Sequence, residues 1–195
     1  MKKSILIPCL LWLVGCMPSP PMTVKPESGE QVVGDRLTVT LDGSWNHIYV
    51  PGQTADHWTI EGLPIDDLQI YSGIKDGQAI HPVVRGSSAT PIVFHSTMQP
   101  DEIVSLFEGM LTRDGSTFQL VKSEPATFGG AKGYHFEFKV VRKVDSVELS
   151  GVGYGAVSNG ELFSIVYVAP RMTFFGRYRD RVENIARGVR IKGAT

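Results

Sequence analysis

Cysteine is nearly missing from this chain of 195 residues: two occur, Cys9 and Cys16, and both lie near the start. Beyond them the chain has no thiol, which excludes disulfides, thiolate metal sites and cysteine nucleophiles from everything that follows. An excess of one charge is missing too, since 19 Lys and Arg stand against 20 Asp and Glu. That balance excludes broad nucleic-acid binding, which draws on a basic surplus. The five histidines, His47, His57, His81, His95 and His135, form no i,i+4 pair and no HxH pair, so there is no local metal signature. Ser87, Ser88 and the other serines lack a GxSxG context, and nothing specifies hydrolysis. No motif implies a cofactor.

The first apolar run, Ile5 to Val14, is too short to span a bilayer as a mature helix, and Lys2 and Lys3 precede it. A basic start followed by a short apolar region describes a secretory signal. At its end stands Leu13-Val14-Gly15-Cys16. This tetrapeptide resembles the lipobox of bacterial lipoproteins. The resemblance implies that the Cys16 thiol receives a diacylglycerol, that the chain is cut between Gly15 and Cys16, and that the new amino group is acylated. The residue types suit the chemistry, because a thiolate is the strongest nucleophile available to a lipid donor. Acyl chains beyond the first make anchoring stable, so membrane attachment through Cys16 is expected to be firm. In such lipoproteins an Asp after the cysteine marks inner-membrane retention. Met17 stands there instead, so in a two-membrane envelope the expected site is the outer membrane, facing the periplasm.

Cleavage would remove Lys2, Lys3 and Cys9 and no acid, moving the formal charge from −1 to −3. Pro18, Pro20, Pro21 and Pro26 then lie among small and polar residues. Proline-rich segments favour extended PPII and resist packing, so residues 16–35 are expected to form a tether. Residues 36–195 are enough for one domain with its own core.

Within that domain, Arg36 to Leu41 alternates with a period of two, as a half-buried strand does. Short strands are expected at Trp45–Val50, His57–Ile60, Leu68–Ile74 and Pro91–Phe94, with a polar loop from Lys75 to Ser88. Pro100 to Leu111 predicts a helix: proline suits a first turn, Asp101 and Glu102 complement the dipole, and Ile103, Leu106, Phe107, Met110 and Leu111 make an apolar stripe. Strands then follow at Phe118–Ser123, Gly133–Val144, Val147–Val157 and Glu161–Ala169. Asn159-Gly160 serves as the hairpin turn between the last two. A second helix is expected from Thr173 to Arg187, with Gly188 at its C′ position and a short strand at Val189–Ile191.

This order is an α+β arrangement, an antiparallel sheet packed by helices. The stretches SWNHIYVP, MQPDEIVSLFEGML, GGAKGYHFEFKV and ELFSIVYVAPRMTFFGRYRDRVENIARGVRI resemble the PsbP/Mog1-like family across roughly Arg36 to Ile191. The resemblance implies an α/β/α sandwich with binding and assembly roles rather than a reaction. Members include extrinsic photosystem subunits, a small-GTPase partner and envelope lipoproteins.

Three patterns invite a chemical reading. Gly151, Gly153 and Gly155 lie in GVGYG, but a phosphate loop needs a helix next and a strand follows, so close packing is the expected reason for them. Asp66 and Asp67 are adjacent, which on an extended chain points them to opposite faces, as turn or strand-edge residues rather than an acid–base pair. Arg177, Arg179, Arg181, Arg187 and Arg190, with Lys139, Arg142 and Lys143, are expected to form solvated faces, the alternative being a basic patch for an acidic partner or lipid headgroups. The leading expectation is a lipid-anchored, non-enzymatic envelope protein whose domain binds another protein. The alternative is a small-ligand binder or enzyme whose site is assembled from distant residues such as the histidines.

Overall fold

The computed structural model describes residues 23–49, 52–82 and 90–194. The signal segment, the Gly15–Cys16 cleavage site, the prolines through Pro21, and Ser87 and Ser88 lie outside the described residues. Among the described residues nine strands and two α-helices follow one another: β1 Thr23–Val33, β2 Leu37–Tyr49, β3 Asp56–Thr59, β4 Asp67–Ile74, α1 Pro100–Leu111, β5 Thr117–Phe128, β6 Ala131–Val141, β7 Glu148–Ser158, β8 Glu161–Pro170, α2 Gly176–Arg187 and β9 Arg190–Ile191. A single π-helical turn, Arg171–Phe175, leads into α2. All strand pairs are antiparallel, in the spatial order β1-β2-β3-β4-β8-β7-β6-β5, with β9 paired to β2. Among the described residues no helix is long and apolar enough to cross a membrane.

β8 lies at the centre and its composition shows it. Leu162 to Ala169 is buried without interruption, because both faces of the strand are covered. On one face Phe163, Ile165 and Tyr167 join Trp45, Trp58, Val182 and Ile185, the last two from α2. On the other, Leu162 and Val166 join Tyr71, Phe136, Phe138, Ile103 and Phe107, the last two from α1. The helices therefore sit on opposite faces of the sheet. α1 begins at Pro100, where the Gln99 amide donates to the Glu102 carboxylate at 2.7 Å, and it buries Ile103, Val104 and Phe107.

Four expectations need correction. The tether does not extend through residue 35: Thr23–Val33 is β1, an edge strand paired to β2 from Thr23↔Tyr49 to Val33↔Leu37. Pro26 is tolerated because an edge strand leaves one side of its backbone unpaired. Arg36–Leu41 and Trp45–Val50 are not separate strands but the two halves of β2, bent where the register shifts opposite Glu27 and Gly29. Gly43 and Gly29 both take positive φ at this bend, as bulges require. Pro91–Phe94 contributes an isolated bridge, Ala79↔Val93, instead of a strand. Gly188 is itself the cap of α2, with φ −85° rather than the left-handed conformation, and its amide donates to the carbonyls of Asn184 and Ile185 at 3.1 Å.

The hairpin expectation holds. Asn159 and Gly160 have φ of 52° and 76°, joining Ser158 to Glu161 in a two-residue turn. The glycine stripe also has the expected reason. β6 and β7 pair Tyr134 with Gly155, Phe136 with Gly153 and Phe138 with Gly151. A Cβ on any of these glycines would collide with the ring opposite it. The missing side chains are the seats of the aromatic rings that face α1.

Candidate functional site

Asp66, the last residue of the turn before β4, and Asp67, the first residue of that strand, part to opposite roles. Asp66, 1% exposed, accepts from the Thr59 hydroxyl and from the amides of Ile60 (3.0 Å) and Glu61 (2.8 Å). The Thr59 hydroxyl in turn accepts the Gly62 amide at 2.8 Å. This carboxylate organises the turn between β3 and β4, where Glu61 is placed to accept the Tyr178 hydroxyl of α2.

Asp67 faces the other side, toward α1. Its Oδ1 accepts His57 Nδ1 at 2.9 Å and its Oδ2 accepts the Gln69 amide at 2.8 Å. Gln69 Oε1 accepts the hydroxyl of the buried Tyr71 at 2.8 Å, and that hydroxyl also meets Met110 Sδ of α1 at 3.2 Å. Register brings these residues together, since His57 pairs with Gln69 across β3 and β4. Burial alone would depress the His57 pKa, but the Asp67 hydrogen bond and charge, aided by Asp56, raise it above its ordinary value of 6.5. The stabilisation from this pair is therefore complete below the ordinary histidine pKa and is lost as pH rises through the raised value. As pH rises above the ordinary histidine pKa, the urea midpoint of the wild type should fall more steeply than that of His57→Gln, in which this linkage is gone.

His57 and His81 are the two histidines that share a concavity. A cavity of about 410 Å³ is lined by both, with Gln69, Tyr71, Arg113 and Asp114. A second, of about 340 Å³, shares His57, Gln69 and Leu111 with the first and is otherwise walled by Leu63, Pro64, Ile65, Asp67, Leu149 and Val168. Gln69, Tyr71 and Arg113 carried no local motif, and only the β3–β4 register and the end of α1 assemble them.

The other histidines lie apart. His47 stacks on Trp58 with centroids 4.2 Å apart and sits 3.3 Å from Asp56 and 3.4 Å from Glu27. His95 is exposed beside Asp76. His135 stacks on Tyr154 and its Nδ1 bonds Glu124 at 2.9 Å, while Nε2 makes no hydrogen bond among the described residues and lies 3.8 Å from the Glu137 carboxylate. No group of three or more histidines and acids with metal-holding geometry occurs among the described residues.

The arginines do not gather into a patch. Arg179 bridges Glu137 and Glu183, both at 2.8 Å, and Arg181 donates to the Asp42 carbonyl at 2.6 Å while lying over the Trp45 ring. Arg177 reaches Glu61 at 3.5 Å, Arg187 donates to Asn184 at 2.6 Å, Arg190 pairs with Glu30, and Arg142 pairs with Asp145 at 2.6 Å. Lys139 and Lys143 are exposed. Most of these cations fasten α2 and the hairpins to the sheet rather than offering one field to a partner.

No protein-family model matches the chain, and no curated protein does. Among solved structures, that of cyanobacterial PsbP (CyanoP) from Synechocystis sp. PCC 6803 superposes with a TM-score of 0.56 at 14% identity, covering 92% of this chain and 98% of that one. The antiparallel sheet with a helix on each face is thus a PsbP-like α+β fold.

Proposed function

We propose that this protein is a lipid-anchored cell-envelope component, held by acylated Cys16, whose PsbP-like domain is a non-catalytic module that binds another protein. The observation that carries the reading is the fold match, which takes in nearly the whole of a PsbP chain. It is joined by the LVGC tetrapeptide at the end of the signal-like segment. The residues best suited to acid–base work support a scaffold role as well: Asp66 is committed to a turn and Asp67 to His57 and Gln69.

The test is Cys16→Ser. Wild-type protein should incorporate labelled fatty acid and sediment with membranes. The variant should accumulate as unprocessed precursor without label. In parallel, crosslinking in intact cells should join the wild type to one envelope protein and lose most of that product in the variant. Normal processing and acylation of Cys16→Ser would overturn the anchor. Equal crosslinking would detach the binding role from the membrane.

A further inference from the structure

We propose that the two joined cavities beside His57 form one binding site for an amphipathic carboxylate. Its head would lie among His57, His81 and Arg113, and its short acyl or aryl tail along Leu63, Ile65 and Leu149.

The division of the walls argues for an amphipathic guest. The smaller cavity is walled mainly by aliphatic side chains, among them Leu63 and Ile65, each left 39% exposed, with His57, Asp67 and Gln69 at the side that meets the larger one. The larger is edged by imidazole, amide, phenol and guanidinium groups. His57, Gln69 and Leu111 are common to both, so a ligand passing between them stays in contact with protein. Each volume falls in the range of small-ligand sites.

The charges argue for a single negative head. Two acids border the joined cavities, Asp114 in the larger and Asp67 in the smaller, and both are already engaged. Asp67 takes His57 and Gln69, and Asp114, next to Arg113, accepts the Ser116 amide at 2.9 Å. With His57 neutralised by Asp67, the guanidinium of Arg113 has no ion-pair partner among the described residues. One uncompensated cation favours a monoanion over a doubly charged phosphate, which Asp67 and Asp114 would repel. His57 bonds Asp67 through Nδ1, leaving Nε2 as the ring atom available to a ligand. The crowding of cations is felt at His81, whose pKa is lowered first by burial, then by Arg113 and then by His57. An anion between them would relieve that repulsion.

The experiment uses the full chain in lipid nanodiscs, with protein-free nanodiscs as the blank and decanoate as the probe. Calorimetry should show saturable binding of decanoate and none of acetate, which lacks a tail, or of decyltrimethylammonium, which reverses the head charge. Arg113 is exposed, so Arg113→Gln should fold normally and weaken decanoate about tenfold, while Arg113→Lys should keep most of the affinity. Leu63→Glu, which puts a carboxylate beside the tail, should weaken it as well. The His81 ring signals should titrate at higher pH when decanoate is bound, because its charge offsets those of Arg113 and His57 while Asp67, Asp114 and Tyr71 stay as they are. Lack of saturable uptake, equal binding of the ammonium probe, or an unmoved His81 titration under saturating decanoate would each overturn the site.

Discussion

Asp66→Ala should lower the stability of the fold by about 3 kcal/mol, read as a fall in melting temperature of roughly 10 °C. The side chain is almost wholly buried and serves three donors at once, the Thr59 hydroxyl and the Ile60 and Glu61 amides. Alanine removes the acceptor that all three donors share, at a site where Asp66 and Thr59 are each 1% exposed. A buried amide without a partner costs the full desolvation of the group, which exceeds the net gain from an ordinary hydrogen bond. Asp66→Asn separates acceptor geometry from charge. It keeps one carbonyl oxygen in place and should lose roughly half as much. The damage should also spread. The turn carries Glu61, which holds Tyr178 and Arg177 of α2, and it leads to Leu63 and Ile65 on the cavity wall. An Asp66→Ala protein that melts within a degree or two of the wild type would show that the turn is held by its backbone alone.

Gly153→Val should be at least as damaging, about 3 kcal/mol or more, and insoluble expression is its extreme form. Gly153 pairs with Phe136 in the middle of the sheet, and a Cβ there would enter the Phe136 ring. The ring has little freedom to move, since it stacks on Phe138 at 5.5 Å and on Phe107 of α1 at 5.7 Å. Backbone displacement would have to pass through β8, which is packed on both faces. Combining Gly153→Ala with Phe136→Leu tests the steric account directly. The pair should cost less than the sum of the singles, because the smaller side chain opens the space that the new methyl needs. Additive costs would mean that the glycine serves the backbone and not the ring.

Those two positions differ in how far the chain alone announced them. The glycine stripe at alternate positions, next to a strand with aromatics at alternate positions, states the packing in composition. α1 was equally legible, since proline, two acids and an apolar stripe agree on its start and its buried face. β1 was hidden because an edge strand needs few apolar residues: Thr23–Val33 is largely exposed and contains a proline. The bend of β2 looked like a break because Asp42-Gly43 is turn chemistry in most settings. The cavity left no signal. His57 and Asp67 are ten residues apart, and Arg113 stands on the far side of a helix, so only register and packing bring them to one wall.

The strand order has a temporal consequence. β4 pairs with β8, from Asp67↔Val168 to Ile74↔Leu162, so the join between the two halves of the sheet spans about a hundred residues of chain at its widest. A chain emerging from its N-terminus completes β1 to β4 early and then carries the bare edge of β4 until β8 is delivered. The β6–β7–β8 meander can form locally, but the halves can dock only near the end of synthesis. Closing so large a loop is entropically slow, and an unpaired edge invites wrong partners while it waits. Maturation of this protein should therefore have one late, rate-limiting zipping event, and agents that shield strand edges should raise the yield of native molecules without changing their final stability.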